Sequence, residues 1–558
     1  MISNIIINKN ICVLPNSSIK NALKVIQKNS ERICFVINKN NTLIASISDG
    51  DIRRGLIAGK KLEDKINNIK NTKYKFLQID LSPDEAYKKF PKNINLLPVI
   101  GKKRKFLGII RKQDLVPYLD IKSKKILILG LGYVGLTLAL VLAETGFKVV
   151  GYDKNKKLLN KISKKKSPFY EKGLDRYLEE NYKQNFRVSD KPIVSDIYIV
   201  SVGTPLTKSG KKPNLSNLKQ SILSICPLLK VQDLIILRST VPVGCTRDFV
   251  IKIIEKKTKL KFGKDIFISF CPERTVEGQA IEELKRLPQI VGNYCKKSSE
   301  LTQKIFSEYN STVIEVESLE SAELAKLIDN SYRDTIFAYS NQLSKLSEKL
   351  NLNLVDIIEK VNLGYERNNI PKPSPGVGGP CLSKDSYILS SNFDKLRIGG
   401  ENLIFLSRKV NESMTYNLFS RIKKKLGSLK KNKNCKIFMT GFAFKGFPET
   451  SDMRSSTTLD LLHLLKKNKY SNIWGHDYKV SSKHLKNLKI RTCSIDQGFK
   501  DADAVLIMNN HQNYAKLNIY KLLKKINKPM LFLDSWQIFE PLEINSINGI
   551  SYISVGKN

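Results

Sequence analysis

Histidine and tryptophan are scarce in this chain of 558 residues, which contains four of the first and two of the second. The nine cysteines form no Cys-x-x-Cys pair, and the few histidines complete no spacing typical of a zinc site. The dense cysteine framework of small secreted domains is missing as well. We therefore expect no bound metal, no disulfide scaffold and a reducing compartment.

Long apolar runs are also missing, since none approaches the roughly 20 residues that span a bilayer. The first residues, MISNIIINKN, lack the charged start and the small-residue cleavage site of a signal peptide. These observations predict a cytoplasmic protein with no membrane span.

Acidic residues are few, because 52 Asp and Glu face 95 Lys and Arg and leave a formal net charge of +43. Such a charge is compatible with binding to nucleic acid phosphates. The lysines, however, form short scattered runs such as Lys164–Lys166 and Lys423–Lys425, with no aromatic interleaving and no recognition-helix signature. We expect no nucleic acid partner, and a basic field favours an anionic nucleotide substrate.

One cysteine lies in a glycine-rich loop, GVGGPCLSKD, which covers residues 376–385. Gly376 and Gly378 allow the backbone to approach a ligand closely, and Lys384 is expected to lower the thiol pKa of Cys381. A buried, inert cysteine is the alternative interpretation. The loop and the following lysine and acid favour Cys381 as a catalytic nucleophile.

A dinucleotide fingerprint occupies residues 125–153, KILILGLGYVGLTLALVLAETGFKVVGYD. A buried β run enters Gly130-x-Gly132-x-x-Gly135, an apolar helix follows, and a second β run ends in Asp153. The helix start, with Tyr133 and Val134, is expected to receive the pyrophosphate. Because an acid at the position of Asp153 accepts from ribose hydroxyls and repels a 2′-phosphate, NAD is favoured over NADP.

Three further apolar strands, within residues 196–206, 233–244 and 265–278, end in small or polar residues. Strand ends at one edge of a parallel sheet converge on the ligand crevice. Residues 318–350 then show helical spacing and predict one long connecting helix. Lys326 and Asn330 share a face of that helix. A solvated lysine is the ordinary interpretation, but the cysteine loop makes a catalytic pair more convincing.

A second α/β unit begins within residues 435–467 and lacks the dinucleotide fingerprint. Gly441, Lys445, Gly446 and Arg454 place positive charge at a strand-to-helix junction. Such a junction suits a nucleotide diphosphate better than NAD. We interpret this unit as the substrate-nucleotide domain.

Residues 1–120 contain two similar α+β halves and resemble a pair of CBS domains. The resemblance rests on the SDGDIRR turn and on a repeated strand, turn, strand and helix order. It implies that Asp51 and Asp114 bind the ribose of an adenine or guanine nucleotide. Arg111 departs from the pattern, because Ser or Thr usually stands there. The alternative is that both acids cap helices.

Residues 124 to 558 resemble the nucleotide-sugar 6-dehydrogenase family. The resemblance rests on motifs in the family's order: GLGYVG, SPFYEKGL, VGTP, RSTVPVG, PERTVEG, AELAKLIDN, the Cys381 loop and GFAFK. It implies an α/β fold in which two Rossmann-like parallel-sheet domains are joined by a long central helix. The expected domains are a NAD-binding domain (124–317), a central helical and dimerisation region with the cysteine loop (318–425) and a UDP-sugar-binding domain (433–558).

The family's reaction oxidises the alcohol at sugar carbon 6 twice, with two NAD in succession, through a thioester on the cysteine. It therefore needs a base, a nucleophile for the aldehyde and a water. Lys326 is expected to stabilise the alkoxide, Asn330 and Asp385 to orient a water or accept the proton, and Glu273 with Thr240 to activate the hydrolytic water. Further expected contacts are Gly203, Thr204, Pro205, Ser239, Glu277, Lys384 and Arg454 for the cofactor, and Arg274, Arg367, Gly376, Gly378, Phe444 and Lys445 for the substrate.

The substrate is expected to be a UDP-N-acetylhexosamine, before UDP-glucose and GDP-mannose, because PERTVEG and FPETSDMR look like the N-acetylhexosamine-type members. The resemblance also implies cell-surface polysaccharide synthesis and a homodimer or higher homo-oligomer, with Arg367 reaching a neighbouring subunit's substrate. Two departures are the missing histidine before Cys381 and Gln537 where many relatives carry a basic residue. Alternatives are a UDP-glucose 6-dehydrogenase, a hydroxyacid dehydrogenase making one oxidation, and a nucleotide-sensing regulatory protein.

Overall fold

The structure is a computed structural model that describes residues 9–29, 31–79, 81, 86–87, 89–91, 94–112, 121–207 and 211–557. The chain divides into two compact units, one ending at Ile121 and the other beginning at Lys122. Asp114 lies outside the described residues. No helix in the described part of the chain is long and apolar enough to cross a membrane.

The first unit contains two three-stranded sheets with the same topology. In each sheet a short parallel strand pairs with the middle strand, which pairs with an antiparallel third strand. The elements are β1 (Cys12–Val13), α1 (Ile19–Asn29), β2 (Ile33–Ile37), β3 (Leu43–Ser48), α2 (Asp49–Ile57), β4 (Leu77–Gln78), β5 (Leu96–Ile100) and β6 (Phe106–Arg111). The repeated topology agrees with the internal repeat in the sequence.

An eight-stranded sheet opens the second unit, in the order β14-β13-β12-β11-β10-β7-β8-β9. Its pairs are parallel except β12 with β13. The strands are β7 (Lys125–Leu129), β8 (Lys148–Tyr152), β9 (Phe186–Ser189), β10 (Ile197–Val200), β11 (Leu234–Leu237), β12 (Phe267–Phe270), β13 (Gln289–Asn293) and β14 (Val313–Val316). The central runs, such as Ile197–Val200, are buried throughout because helices cover both faces of such a sheet.

Helices of this part follow the strands in a βα alternation. They are α3 (Tyr133–Glu144), α4 (Lys156–Ser163), α5 (Leu174–Asn181), α6 (Ser216–Ile225), α7 (Lys252–Lys257), α8 (Ala280–Arg286) and α9 (Lys296–Ser307). A π-helical turn at Thr246–Ile251 leads into α7.

Four helices form the centre of the second unit: α10 (Leu319–Lys349), α11 (Leu354–Asn362), α12 (Leu382–Leu396) and α13 (Leu403–Ser428). The predicted single helix over 318–350 agrees with α10, which Ser318 caps by accepting from the N–H of Ser321. Near its start Glu323 accepts from Gly244 and Thr246. Near its end Glu348 accepts from Arg421 and from the N–H of Gly556.

A six-stranded, all-parallel sheet completes the second unit, in the order β17-β16-β15-β18-β19-β20. Its elements are β15 (Ile437–Thr440), α14 (Thr457–Lys467), β16 (Ile473–His476), α15 (Ser482–Asn487), β17 (Arg491–Thr492), α16 (Ile495–Phe499), β18 (Ala504–Ile507), α17 (Gln512–Ala515), α18 (Ile519–Leu523), β19 (Met530–Asp534), α19 (Pro541–Asn545) and β20 (Ile550–Ser554). Two parallel-sheet halves joined by a long helix, with a separate α+β repeat, confirm the predicted fold class.

Candidate active site

The turn between β7 and α3 is built for close approach of a ligand to a helix N-terminus. Gly130 has φ of +93°, and a Cβ there would lie 2.9 Å from the carbonyl oxygen of Ser201. A Cβ on Gly135 would lie 1.8 Å from the carbonyl oxygen of Gly130, so only glycine allows the helix to pack on the turn. At Gly132, the N-cap of α3, a Cβ would meet open space. The start of α3, at Tyr133 and Val134, is therefore accessible to an anion.

Asp153 follows β8 and faces the same turn. Its Oδ2 accepts from the N–H of Leu131 at 2.9 Å and its Oδ1 from the N–H of Asn155 at 2.8 Å. A cavity of about 260 Å³ is lined by Gly130, Gly132 and Asp153 among others. A carboxylate beside a glycine turn and a helix N-terminus fits the adenosine and pyrophosphate parts of NAD, because each oxygen retains lone pairs for ribose hydroxyls.

A larger cavity, of about 900 Å³, adjoins the first, since Gly203 and Asn217 line both. Its walls include Thr204 and Pro205 on the NAD side, and Pro380, Lys384 and Arg454 on the other. Of the other predicted cofactor residues, Ser239 donates from Oγ to the carbonyl oxygen of Val202 at 2.7 Å. Tyr133 stacks on Phe169, and the Arg454 guanidinium lies 5.4 Å from the Tyr133 ring.

Cys381, the predicted nucleophile, is the N-cap residue of α12. The glycine loop before it packs on the last domain, where Gly376 lies near Thr457 and Gly378 lies against the main chain of Ser455. The residue is exposed at the cleft, yet loss of hydration around the sulfur raises the thiol pKa, and the Asp385 carboxylate adds to the rise. The expected depression of the thiol pKa is therefore wrong in this geometry.

The lysine that was expected to activate the thiol is held by its neighbour. Lys384 Nζ forms an ion pair with Oδ1 of the buried Asp385, and Asn330 donates from Nδ2 to Oδ2 of Asp385 at 2.6 Å. Lys326 and Lys384 both act to lower the Cys381 pKa, but they do not outweigh the loss of hydration around the sulfur and the Asp385 carboxylate. The predicted Lys326, Asn330, Cys381 and Asp385 nevertheless lie together.

Glu273 lies three residues after the end of β12, and its carboxylate is paired with Arg238, which follows β11. The Arg238 Nη2 to Glu273 Oε2 distance is 2.5 Å, and both side chains are buried. Burial alone would raise the pKa of Glu273, but Arg238 and the nearby Lys326 reverse that effect and lower it. Sequence reasoning missed Arg238, although a charged residue directly after the buried LIIL strand was a usable signal. Thr240, which was predicted to activate the hydrolytic water together with Glu273, lies two residues after Arg238 and is partly buried.

A third cavity, of about 360 Å³, is lined by Arg274, Lys326, Asp329, Asn330, Tyr332 and Arg333 among others. Arg274 donates from Nε to Asp329 at 2.7 Å. Arg333 was missed by the sequence analysis, although it lies seven residues after Lys326 and therefore on nearly the same face of α10. Two arginines and a lysine around one cavity suit an anionic substrate.

Glu277 joins the two halves of the second unit. Its Oε1 is 3.2 Å from Nη2 of Arg454, its Oε2 accepts from Thr450, and its carbonyl oxygen accepts from Lys445 Nζ at 2.6 Å. Burial and then Asp452 raise the Glu277 pKa to about 8. Burial lowers the Lys445 pKa to about 8, in spite of Glu277. Phe444, beside Lys445, faces the cysteine loop at Gly379.

Arg367, a predicted site residue, lines none of these three cavities. It lies on the exposed segment after α11, with its guanidinium 4.7 Å from the Tyr365 ring. Within the ranges that the structure describes, no three His, Cys, Asp or Glu side chains are grouped to hold a metal ion.

In the first unit Asp51 completes a capping box at the start of α2. Its Oδ2 accepts from the N–H and the Oγ of Ser48, and its Oδ1 pairs with Arg54 at 2.6 Å. This geometry supports the helix-capping interpretation of Asp51, and a ribose would compete with those donors. In the second half Arg111 donates from Nε to Glu31 at 3.0 Å.

Family models match most of the chain. The NAD binding, central and UDP binding domains of the UDP-glucose/GDP-mannose dehydrogenase family match residues 124–310, 320–413 and 438–541, and the CBS domain matches residues 2–58 and 66–120. The chain is 31% identical over 422 residues to the UDP-N-acetyl-D-mannosamine dehydrogenase of Methanocaldococcus jannaschii, covering 75% of this chain and 93% of that protein. The chain belongs to the UDP-glucose/GDP-mannose dehydrogenase family.

Other members of the family agree in sequence and in fold. The UDP-N-acetyl-D-mannosamine dehydrogenase of Campylobacter jejuni is 30% identical over 72% of this chain and 98% of its own length. The solved UDP-D-ManNAc dehydrogenase of Pyrococcus horikoshii superimposes with a TM-score of 0.70 at 28% identity, over 78% of this chain and 99% of that one. The protein is thus an NAD-dependent nucleotide-sugar dehydrogenase with an N-terminal CBS pair. The predicted domain boundaries and the roles of single residues stay predictions.

Proposed function

We propose that this dehydrogenase oxidises the C6 alcohol of a UDP-N-acetylhexosamine to the carboxylate, with UDP-N-acetylmannosamine as the first candidate. The proposal rests on one observation, the meeting of Cys381, Lys326, Asn330 and Asp385 beside cavities in a chain with both a NAD-binding and a UDP-binding domain. Relatives named UDP-N-acetyl-D-mannosamine dehydrogenase support the choice of sugar.

The first oxidation converts the alcohol to an aldehyde. NAD held at the turn between β7 and α3 would supply the hydride acceptor, and the hydroxyl proton leaves to Asp385 or to a water held by Asp385 and Asn330. The buried Lys326 ammonium stabilises the developing alkoxide. Because Asp385 already accepts from Asn330 and Lys384, its orientation is fixed before substrate binds.

Cys381 carries the second oxidation. Its sulfur adds to the aldehyde carbon to give a thiohemiacetal. The thiohemiacetal becomes the thioester by losing a proton and a hydride, for which a second NAD would supply the acceptor. Water then adds to the thioester carbonyl, the carbon–sulfur bond breaks, and the acid and the free thiol form. Asp385 opposes ionisation of the thiol, so loss of the Cys381 proton should accompany its attack on the aldehyde.

The decisive experiment counts NADH formed per sugar nucleotide consumed, with UDP-N-acetylmannosamine, UDP-N-acetylglucosamine, UDP-glucose and GDP-mannose. Two NADH support the proposal, one indicates a simple alcohol dehydrogenase, and none indicates a nucleotide sensor.

Cys381→Ser should abolish uronic acid formation and leave NADH binding intact. Cys295→Ser is the matched control, since Cys295 is an N-cap residue where serine is favoured. A serine variant at 381 with normal acid production would contradict the covalent step.

We also infer a homodimer formed through one face of α10. Large apolar side chains recur there and remain exposed: Leu324, Ile328, Tyr332, Tyr339 and Leu346. Ile328 and Tyr332 also line the cavity that contains Lys326, so a second copy would complete the substrate site, with Arg367 as its predicted contribution. Light scattering tests the assembly: Tyr339→Glu should give monomers, and Tyr416→Glu, on an exposed part of α13, should not.

The CBS pair is proposed to bind an adenine or guanine nucleotide and to shift the enzyme between states of different activity. Support comes from the match of both halves to the CBS domain. Calorimetry with AMP, ATP, GDP and GTP on the full chain, and on a chain lacking residues 1–120, separates this site from the NAD site. Binding that survives the deletion, or no binding at millimolar concentration, would contradict the proposal.

A further inference from the structure

Arg238 is a guanidinium enclosed in protein at the edge of the active site. It follows β11, its side chain is 0% exposed, and Glu273 follows the neighbouring strand β12. Parallel pairing of β11 with β12 places both strand ends at the same edge of the sheet. The chain thus brings an arginine and a glutamate 35 residues apart into a buried ion pair at 2.5 Å.

The guanidinium has little other compensation for its burial. In the part of the chain that the structure describes, its Nε and Nη1 have no hydrogen-bond partner, and neither has the hydroxyl of Tyr309. The Phe306 ring lies 5.4 Å from the guanidinium carbon. Burying a charge this way costs free energy, and well-packed apolar side chains often stabilise a fold as much as a buried ion pair. A functional role therefore explains the Arg238–Glu273 ion pair better than a contribution to the stability of the fold does.

The partner carboxylate is held on both oxygens. Oε2 of Glu273 faces Arg238, while Oε1 accepts from the N–H of Arg274 at 2.8 Å and of Thr275 at 3.0 Å. Lys326 on α10 is the further cation acting on Glu273. Near the Arg238 side, Cys271 and Tyr309 are neutral because burial raises both pKa values. Three donors hold Glu273 in one orientation and favour its ionised form.

We propose that Arg238 is a positioning residue for thioester hydrolysis, a role that rests on the function proposed above. It fixes Glu273 as a carboxylate whose remaining lone pairs accept a hydrogen bond from the attacking water. The water oxygen bonds to the thioester carbon, the carbon–sulfur bond breaks, and Cys381 leaves with one proton. The carboxylic acid product then releases its own proton. Glu273 aligns the water and need not keep a proton, which suits a carboxylate that is held ionised.

Loss of Arg238 should expose the effect of burial on Glu273. Without the guanidinium, desolvation dominates and the carboxyl pKa rises. Glu273 is then protonated at a higher pH than in the native enzyme, so the acidic limb of the rate profile moves upward and the rate recovers as the pH increases. A purely structural ion pair would lower the melting temperature without moving that limb.

The test measures NADH formation between pH 5 and 9, together with melting temperatures, for Arg238→Met, Arg238→Lys and the control Arg247→Met. Arg247 forms an exposed ion pair with Glu320. We expect Arg238→Met to move the acidic limb up by about one pH unit or more and to lower kcat at pH 7 by about 10- to 100-fold, with KM little changed. Arg247→Met should keep the native profile.

Arg238→Lys keeps the positive charge but loses the planar set of guanidinium N–H donors. We therefore expect kcat to fall about tenfold while the acidic limb of the pH–rate profile stays near its native pH. A folded Arg238→Met enzyme with the native profile overturns the proposal. If that variant does not fold, native kcat in Arg238→Lys overturns it instead. Glu273→Gln distinguishes a failure of the role proposed for Arg238 from a failure of the role proposed for Glu273. Full activity in that variant would remove Glu273 from the proposed function, whatever the result at Arg238. The ratio of two NADH per sugar tests the overall reaction independently.

Discussion

The two parallel sheets of the second unit begin alike and then diverge in the loop after their first strand. In the NAD-binding half, α3 begins at Tyr133, four residues after β7 ends at Leu129. In the UDP-binding half, α14 begins at Thr457, and residues 441–456 separate it from β15. The short turn presents a helix N-terminus to a ligand. The long segment, which we name the bridging loop, instead extends to the other half through Lys445, Thr450 and Arg454.

The acid after the second strand shows the same divergence. Asp153 accepts one backbone N–H on each oxygen. Asp477, in the equivalent place after β16, accepts four: from Phe442 and Ala443 on one oxygen and from Lys479 and Val480 on the other. Asp153 keeps capacity for a ribose, whereas Asp477 uses one oxygen for the bridging loop and the other for its own turn. The same α/β unit thus becomes a cofactor site or a connector, depending on loop length.

The largest effect should come from filling the short turn. Gly135→Ala forces a Cβ to within 1.8 Å of the Gly130 carbonyl oxygen, so we expect a loss of more than about 3 kcal/mol of stability or a loss of NADH binding. Thermal denaturation and NADH fluorescence titration measure both. Gly427→Ala in α13 is the control, because its Cβ meets open space; it should stabilise the protein by about 0.5–1 kcal/mol. Normal NADH affinity in Gly135→Ala would show that the turn does not require glycine.

The two acids offer the sharpest paired test. Asp477→Ala leaves four backbone N–H groups without their charged acceptor, so it should lower the free energy of unfolding by about 2–4 kcal/mol and leave the KM for NAD unchanged. Asp153→Ala should lower stability by about 1 kcal/mol and raise the KM for NAD about 10- to 100-fold. Denaturant unfolding and steady-state kinetics decide. A reversed pattern would refute the distinction between cofactor site and connector.

The sequence predicted the short turn better than the bridging loop because local motifs carry the first and long-range contacts the second. The glycine fingerprint, Asp153 and the bounds of α10 follow from spacing alone. The Arg238–Glu273 pair could not be predicted, since it depends on which strands become neighbours. The direction of the Cys381 pKa shift was wrong because desolvation is a property of the packed loop, whereas the sequence shows only the nearby lysine. Likewise, nothing local in sequence reveals that Arg111 pairs with Glu31 across 80 residues.

Stability should depend on pH differently in the two halves. Burial raises the pKa of Glu323, on α10, from 4.5 to about 7, and that of Asp534, the last residue of β19, from 3.8 to about 6. For both, the folded state binds more protons than the unfolded state, so stability falls as pH rises between each pair of values. While stability falls, amide exchange should rise with pH more steeply than the intrinsic exchange rate does. This additional rise should end near pH 6 in β18 and β19 and near pH 7 in β11 and β12. Equal profiles in both halves would contradict these assignments.

The smallest effect concerns a single contact of the bridging loop. Tyr170 of the NAD-binding half donates from its hydroxyl to Glu449 at 3.1 Å. Tyr170→Phe should lower the free energy of unfolding by about 1 kcal/mol without changing kcat. Tyr520→Phe removes a more exposed hydroxyl next to Glu543 within the UDP-binding half and should have a smaller effect. Equal losses of unfolding free energy in the two variants would show that a hydrogen bond between the halves stabilises the protein no more than one within a half.

Helix α10 restricts where the cleft between the halves can bend. Glu323 binds the loop after β11 at one end of the helix, and Glu348 binds the segment after β20 at the other. Rotation of either half about α10 would break the hydrogen bonds of these two carboxylates, so any opening must be absorbed by connections outside the helix, such as residues 429–436 between α13 and β15. Distances between points along α10 should therefore stay fixed during turnover, while distances across the cleft change.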